Sequence, residues 1–157
     1  MAQEYTFLTR ALQHTATDLV GAHPNSVLHT LQAEVLLAYY LFRIGRFVEA
    51  KCHTAAAVSL AIGCGLHRIR SSNLFAPSAI GLSSETPISL HPPQDSIEEG
   101  ERINGFWAIF MLHKYISIAL EPPSSVCGTL EAPGMQIDTP WPLDIASYSE
   151  VCVSWSS

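Results

Sequence analysis

Basic residues are scarce in this chain, and their scarcity excludes one class of function. Only eight of the 157 residues are lysine or arginine, against 14 aspartates and glutamates, which gives a net charge of −6. No window of the sequence concentrates the basic residues. Because a surface that binds nucleic-acid phosphates needs clustered lysine and arginine, we do not expect this chain to bind DNA by itself.

Long apolar runs and closely spaced cysteines are lacking as well. The longest uninterrupted apolar run, 35–42, is eight residues long, far short of the roughly 20 residues that span a bilayer. The N-terminus lacks the basic region and apolar stretch of a secretory signal. The four cysteines are scattered, at Cys52, Cys64, Cys127 and Cys152. We therefore expect reduced thiols, an intracellular location and no membrane segment.

Charged residues of both signs are fewer than usual. They make up 14% of the chain, against about 25% in a typical soluble domain, while 48% of the residues are hydrophobic. The length of 157 residues fits one compact domain or a fragment of a larger one. The composition predicts that some apolar surface is covered by further chain or by a partner.

Hydrophobic periodicity predicts an all-α fold. Four helical segments are expected, over 3–19, 26–42, 47–62 and from Ser96 to a stop at Pro122 and Pro123. Gly45 lies in the short link that makes the second and third helices an antiparallel αα-hairpin. Seven serines and four prolines in 71–97 predict a flexible surface insertion. The expected architecture is a helical bundle built from αα-hairpins with a Ser/Pro-rich loop insertion.

The fourth helix carries the most informative local pattern. Ser96 with Glu99 three positions later predicts a capping box, and Glu98 with Arg102 forms a favourable pair one turn apart. The helix interior is rich in aromatic and aliphatic residues that predict a core face: Phe106, Trp107, Ile109, Phe110, Leu112, Ile116, Ile118 and Leu120. An apolar interior of this length favours a central helix of the bundle.

Two Cys/His patterns suggest metal or nucleophile chemistry, but neither is persuasive. Cys52 and His53 are adjacent, so a helix directs them to different sides, and Cys64 with His67 lacks a second short-spaced couple. No residue is placed to orient a Cys/His nucleophile pair, and the common catalytic motifs are absent from the sequence. We predict no catalytic, metal or cofactor-binding residue in this chain, and no enzyme activity.

Three stretches together resemble the middle, regulatory region of fungal zinc binuclear cluster transcription factors. The first runs from 39 to 68 and ends in a Gly-Leu-His-Arg sequence, the second is 99–123, and the third is 137–143. The residues that carry the resemblance are His53, Gly65, Leu66, His67, Arg102, Phe106, Trp107, Pro123, Asp138 and Pro142. The sequence departs from the family pattern at His113-Lys114 and at Glu121-Pro122-Pro123.

The resemblance implies a partial regulatory domain over 1–150, followed by a disordered tail at 151–157. It implies a nuclear protein in which DNA and zinc are bound by a cysteine-cluster module that these residues do not contain. The implied partners are other parts of the same regulator or the transcription machinery, with a small effector as a further option. Two alternatives stay open: a helical protein-interaction scaffold and a non-functional gene remnant, which would melt without cooperativity.

Arg102 has a structural and a functional interpretation. As a structural clamp, its guanidinium would tie the fourth helix to a neighbour through Asp138 or Asp144. As a functional residue, it would contact an effector. We favour the clamp, and we expect Trp107 and Phe110 to lie in the core rather than in a ligand cage.

Overall fold

The structure, a computed structural model, describes residues 2–17, 26–70, 90–120, 130, 136–144 and 147–148. Its elements are α1 (Ala2–Thr17), α2 (Ser26–Arg43), α3 (Phe47–Gly63), a 3-10 turn (Leu66–Arg68) and α4 (Ser96–Leu120). These ranges contain no strand. The predicted all-α fold is therefore confirmed.

Helices α2 and α3 form the predicted hairpin. Gly45 has φ +80°, a left-handed conformation that glycine adopts without strain. The turn is closed by two backbone bonds, in which Gly45 N donates to Phe42 O at 3.1 Å and Arg46 N donates to Leu41 O at 2.9 Å. The chain therefore reverses within three residues, and the two helices pack along their length.

Helix α4 is the central element of the bundle. Its side chains Ile103, Phe106, Ile109 and Leu112 are at most 1% exposed and face the other helices. The start of α2 lies beside Gly105, and its end lies beside Tyr115, so α2 and α4 run in the same direction. The core joins residues from α1, α2, α3, the 3-10 turn and α4, which makes the described residues one hydrophobic unit.

By length and composition, α4 is also the helix in the described part that could cross a membrane. A core helix of a bundle passes the same test, because its buried face is apolar. In α4, 33% of the apolar 18-residue window is buried inside the bundle. The buried residues of this helix are Gly100, Arg102, Ile103, Phe106, Ile109, Leu112, Ile116 and Ser117.

Two burial predictions were wrong. Ile118, expected in the core face of α4, is 78% exposed, because it lies on the side of the helix opposite Phe106 and Ile109. The second helix is apolar nearly all round in the sequence, which predicts burial on several sides, yet α2 leaves Leu36 and Tyr39 exposed, because α3 and α4 cover only its inner side. Apolar residues on all sides of a helix therefore did not mean burial on all sides.

Several sequence predictions lie outside the described residues. They concern the insertion over 71–89, the proline stop after Leu120 with Pro123, and the tail 151–157. The end of the predicted insertion is described: 90–95 is irregular, and α4 has already begun at Ser96.

Candidate functional site

The 3-10 turn, α4 and the extended segment 136–144 meet at one place, termed the junction here. Asp138 N donates to His67 O at 2.8 Å. The Thr139 hydroxyl donates to Leu66 O at 2.6 Å and accepts from Ile69 N at 3.2 Å. These bonds join residues about seventy positions apart in the sequence. They bring two of the three stretches that carried the resemblance into direct contact.

Glycine at position 65 makes the 3-10 turn possible. Gly65 has φ +72°, so α3 can end at Gly63 and the chain can turn back at once. Arg68 N donates to Gly65 O at 3.0 Å, which closes the turn. Leu66 is then buried in the core at 2% exposure. The third helix, predicted over 47–62, thus ends within one residue of the predicted position.

Trp107 connects the third stretch to the junction. Its indole Nε1 donates to Pro140 O at 2.6 Å, and its ring stacks on Trp141 with centroids 4.3 Å apart and planes 11° apart. Phe106 packs on the inner edge of Trp107 at 5.6 Å and is fully buried. Trp107 itself is half-buried, so it is a linker between core and surface segment rather than a core residue.

Arg102 is buried and pairs with Glu98, the residue predicted one helix turn away, whereas the expected clamp to a neighbouring element through Asp138 or Asp144 is not observed. Its guanidinium donates to Glu98 Oε1 at 2.8 Å, within the same helix, instead of reaching Asp138 or Asp144. Both of those aspartates are exposed, and burial of Arg102 at 8% exposure favours a partner one turn away. The Gln94 N–H and the Arg102 guanidinium hold the pKa of Glu98 below its usual value.

Arg70 makes a second ion pair, which the sequence did not reveal. It donates through two nitrogens to the carboxylate of Glu99, at 2.6 and 2.8 Å. Arg70 has φ +68°, a strained conformation for a residue with a side chain. The Arg70 guanidinium lowers the pKa of Glu99. This pair fixes the chain after the 3-10 turn onto the first turn of α4.

Matched against known families, the chain corresponds to the fungal specific transcription factor domain over residues 7–150. The chain belongs to this family. No curated protein and no solved structure matches it significantly. The resemblance that the three stretches carried is therefore confirmed at the level of the family.

The junction is thus a structural feature of a fungal transcription factor domain. His67, at its centre, is buried at 8% exposure, and its Nδ1 has no hydrogen-bond partner among the described residues. Burial, and then the neighbouring charge of Arg68, lower the pKa of His67. The neutral imidazole is therefore the form that the folded domain favours.

Of the remaining residues that carried the resemblance, those that the structure describes do not contribute buried side chains to the junction. Asp138 contributes its backbone N–H while its side chain is exposed, and Pro142 is exposed. His53 lies in α3 away from the junction, with Nδ1 2.5 Å from Glu34 Oε2, so it ties α3 to α2. Pro123 lies outside the described residues.

Tyr148 was missed by sequence reasoning although it is central to this region. Its buried ring lies against Gly100 of α4, its hydroxyl accepts from Leu143 N at 3.0 Å, and its carbonyl accepts from the Ser96 hydroxyl at 2.9 Å. The signal available in the sequence was Gly100, since a glycine inside a helix often permits a close approach.

The chemistry of the domain outside the junction is limited. No group of three or more His, Cys, Asp or Glu in the described ranges is arranged to hold a metal ion. Cys52 is exposed and Cys64 half-buried, and burial raises the pKa of the Cys64 thiol. The predictions that the chain has no metal, cofactor or catalytic residue stay predictions.

A groove of about 630 Å³ lies between α1 and α2. Most of its lining is apolar, with Phe7 and Leu36 exposed. At one end, the Tyr40 hydroxyl donates to Glu4 Oε1 at 2.7 Å, and this acceptor raises the pKa of Tyr40. Its size is within the range of small-molecule pockets.

Proposed function

We propose that this chain is the regulatory domain of a fungal DNA-binding transcription factor and acts in the nucleus. The observation that carries the proposal is the family match over residues 7–150. The net charge of −6 supports a role that does not include reading DNA. DNA recognition and zinc binding then belong to a cysteine-cluster module that is not among these 157 residues.

The proposed mechanism is conformational. The junction joins the 3-10 turn, α4 and the segment 136–144 through a backbone bond, the Thr139 hydroxyl and one half-buried tryptophan. A partner or effector that binds more tightly to one packing of these elements shifts the domain toward that packing. Partners of this kind are other parts of the same regulator, the transcription machinery, or a small molecule in the α1–α2 groove. No catalytic step is part of this proposal.

A reporter assay tests the proposal. The chain is fused to a bacterial DNA-binding domain in a fungal cell, and transcription is measured from a promoter with the matching operator. We expect the fusion to raise or lower transcription relative to the DNA-binding domain alone. We also expect Trp107→Ala, which removes the bond to Pro140 O, to reduce that effect.

Controls keep the outcome interpretable. Val48→Ser changes an exposed residue outside both the junction and the α1–α2 groove and serves as the matched variant, with fusion levels checked by immunoblot. If the fusion and the DNA-binding domain alone give equal transcription at equal protein levels, the regulatory role is wrong for this chain.

A helical protein-interaction scaffold is the second candidate. It is favoured by the many large apolar side chains that the described residues expose, since such surfaces mark binding sites. Pulldown of partners unrelated to transcription, together with a silent reporter fusion, would favour this candidate.

A further inference from the structure

The C-terminal half of α4 presents an apolar stripe to solvent. Ala108, Met111, Tyr115 and Ile118 are exposed, the last three by 60%, 54% and 78%. They follow one another at intervals of three, four and three residues, which is the a/d spacing through which two helices pack. These four residues are termed the α4 stripe.

The apolar surface continues beyond α4. The ring of Phe42 lies edge-on to Tyr115, with centroids 5.2 Å apart, and edge-on to Phe47 at 5.3 Å. Phe47 is 45% exposed and opens α3 after the hairpin turn. The stripe therefore merges with the α2–α3 turn into one apolar surface at this end of the bundle.

Basic residues occur in the elements that form this surface although the chain as a whole is acidic. Four of its eight lysines and arginines lie at the end of α2, in the α2–α3 turn, in the first half of α3 and in the C-terminal half of α4: Arg43, Arg46, Lys51 and Lys114. Lys114 Nζ is 5.5 Å from the Phe110 ring centre, and Lys51 lines a cavity with Ser117 of α4. After Glu101, α4 contains no carboxylate up to Leu120. The carboxylates at this end within the described ranges are Glu49, paired with Arg46, and Glu4.

We propose that the α4 stripe docks an amphipathic helix of a partner polypeptide whose apolar face is flanked by aspartate and glutamate. The spacing of the stripe selects a helix as the occupant, because knobs at a/d positions fit the holes of a facing helix. The flanking cations select an acidic one. A second copy of this chain is disfavoured, since it would place the same cations opposite one another. This inference goes beyond the proposed function, because binding of a helix does not depend on a role in transcription.

Fluorescence anisotropy with two labelled peptides tests the proposal. Both peptides are three heptads long, with leucine at the a and d positions, and one has glutamate and the other lysine at e and g. We expect the 157-residue chain to bind the glutamate peptide about tenfold more tightly than the lysine peptide. Raising the salt concentration should reduce this difference, because salt screens exposed charges.

Three variants locate the binding surface. Met111→Ser combined with Ile118→Ser should weaken binding of the glutamate peptide about tenfold or more, since these two side chains supply most of the exposed apolar contact. Lys114→Glu should reduce the preference for the glutamate peptide. Leu36→Ser, which changes an exposed leucine in the α1–α2 groove, should leave binding unchanged. The changed side chains are exposed or half-buried, and thermal melts check that each variant is folded.

Several results would overturn the proposal. Equal affinities for the two peptides would show that the surface does not select an acidic partner. An affinity unchanged by the double variant would show that the α4 stripe is not the binding site. A dimer of the chain in sedimentation, lost in the double variant, would identify a second copy as the occupant. Binding to phosphatidylcholine vesicles that is lost in the same variant would identify a lipid surface. The reporter assay is independent of each of these outcomes.

Discussion

At the scale of single residues, Gly100 and His67 show how the core of the domain constrains side-chain choice. A Cβ at Gly100 would lie 2.8 Å from two atoms of the Tyr148 ring, closer than packed atoms approach one another. His67 occupies a buried position in which the charged imidazole is disfavoured. The choice of residue at each of these two positions therefore depends on the side chains and backbone that pack around it.

Replacing Gly100 with alanine should destabilise the domain. Overpacking against a buried ring costs about 1–3 kcal/mol, which exceeds the ~1 kcal/mol that alanine gains over glycine in a helix. Gly105→Ala is the matched control in the same helix, because its Cβ would meet no atom closer than 3.8 Å. Urea unfolding should give a lower free energy of unfolding for Gly100→Ala and an equal or higher one for Gly105→Ala. The opposite ranking would show that Tyr148 does not pack on Gly100.

The burial of His67 predicts a pH dependence of stability. Its pKa in the folded domain is below the unfolded value of 6.5, so between these two values the unfolded chain binds more protons. Stability is then unaffected well above pH 6.5 and falls as the pH drops from about 6.5 toward the folded pKa. Loss of the Glu98 and Glu99 ion pairs follows only at lower pH, because their folded pKa values are depressed below 4.5.

The measurement is the melting temperature between pH 7.5 and 5.5. We expect His67→Gln to show a smaller fall over this interval than the unaltered chain, whatever its stability at pH 7.5. His91→Gln, which changes an exposed histidine, should keep the full fall. Identical pH profiles for all three proteins would mean that His67 is accessible to protons in the folded domain.

At the scale of elements, the start of α4 depends on a different residue from the one predicted. Asp95 is the N-cap: its Oδ1 accepts from Glu98 N at 2.7 Å. Glu98 in turn accepts from Gln94 N at 2.7 Å. The predicted cap, Ser96, instead donates to Tyr148 O. The N-cap is therefore one position earlier than expected, and the Glu98 carboxylate bonds the N–H of the residue before the cap rather than that of the cap itself, so the predicted capping box is not formed. The hydroxyl of Ser96 has a tertiary partner instead.

Asp95→Ala should lower the free energy of unfolding by about 1 kcal/mol, the usual loss for an N-cap. Asp95→Asn retains a side-chain oxygen acceptor, so it should lower the free energy of unfolding by only about a few tenths of 1 kcal/mol. Chemical denaturation followed by far-ultraviolet circular dichroism gives both values. If Asp95→Ala left the free energy of unfolding unchanged, another group would have to cap α4.

The docking of segment 136–144 on the 3-10 turn can be tested through Thr139. Thr139→Val keeps the shape of the side chain but leaves Leu66 O and Ile69 N without their partner. Burying such groups unsatisfied costs about 1–3 kcal/mol. Asp138→Ala is the control, because Asp138 bonds through its backbone and its side chain is exposed. Equal free energies of unfolding for the two variants would mean that the hydroxyl does not hold the segment.

At the scale of the whole molecule, one core and the junction connect all the described elements. The core includes residues from α1 to α4, and the junction joins 66–69 to 138–140. An element that loses its packing therefore exposes part of a shared core. This connectivity favours unfolding as one unit, whereas a gene remnant would melt gradually.

We accordingly expect a single cooperative transition. Tryptophan fluorescence, to which Trp107 at the junction contributes together with Trp141 and Trp155, and far-ultraviolet circular dichroism, which reports the helices, should give the same midpoint in urea. A broad transition, or midpoints that differ between the two probes, would support the remnant interpretation instead.

The sequence by itself determined the helices, the hairpin and the family. These depend on local signals: apolar spacing within each helix, Gly45 and Gly65 where φ is positive, and short motifs such as Arg102, Phe106 and Trp107. The Glu98–Arg102 pair was predictable for the same reason, since both residues belong to one helix turn.

Only the tertiary structure decided which residues meet across the chain. The contact of Tyr148 with Gly100, the role of Ser96 and the exposure of Ile118 all depend on how the elements of the domain pack against one another. Helical periodicity places residues on a face, but it does not say which face another element will cover. That choice is made by the packing of the whole core, in which contacts between distant residues outweigh local preference.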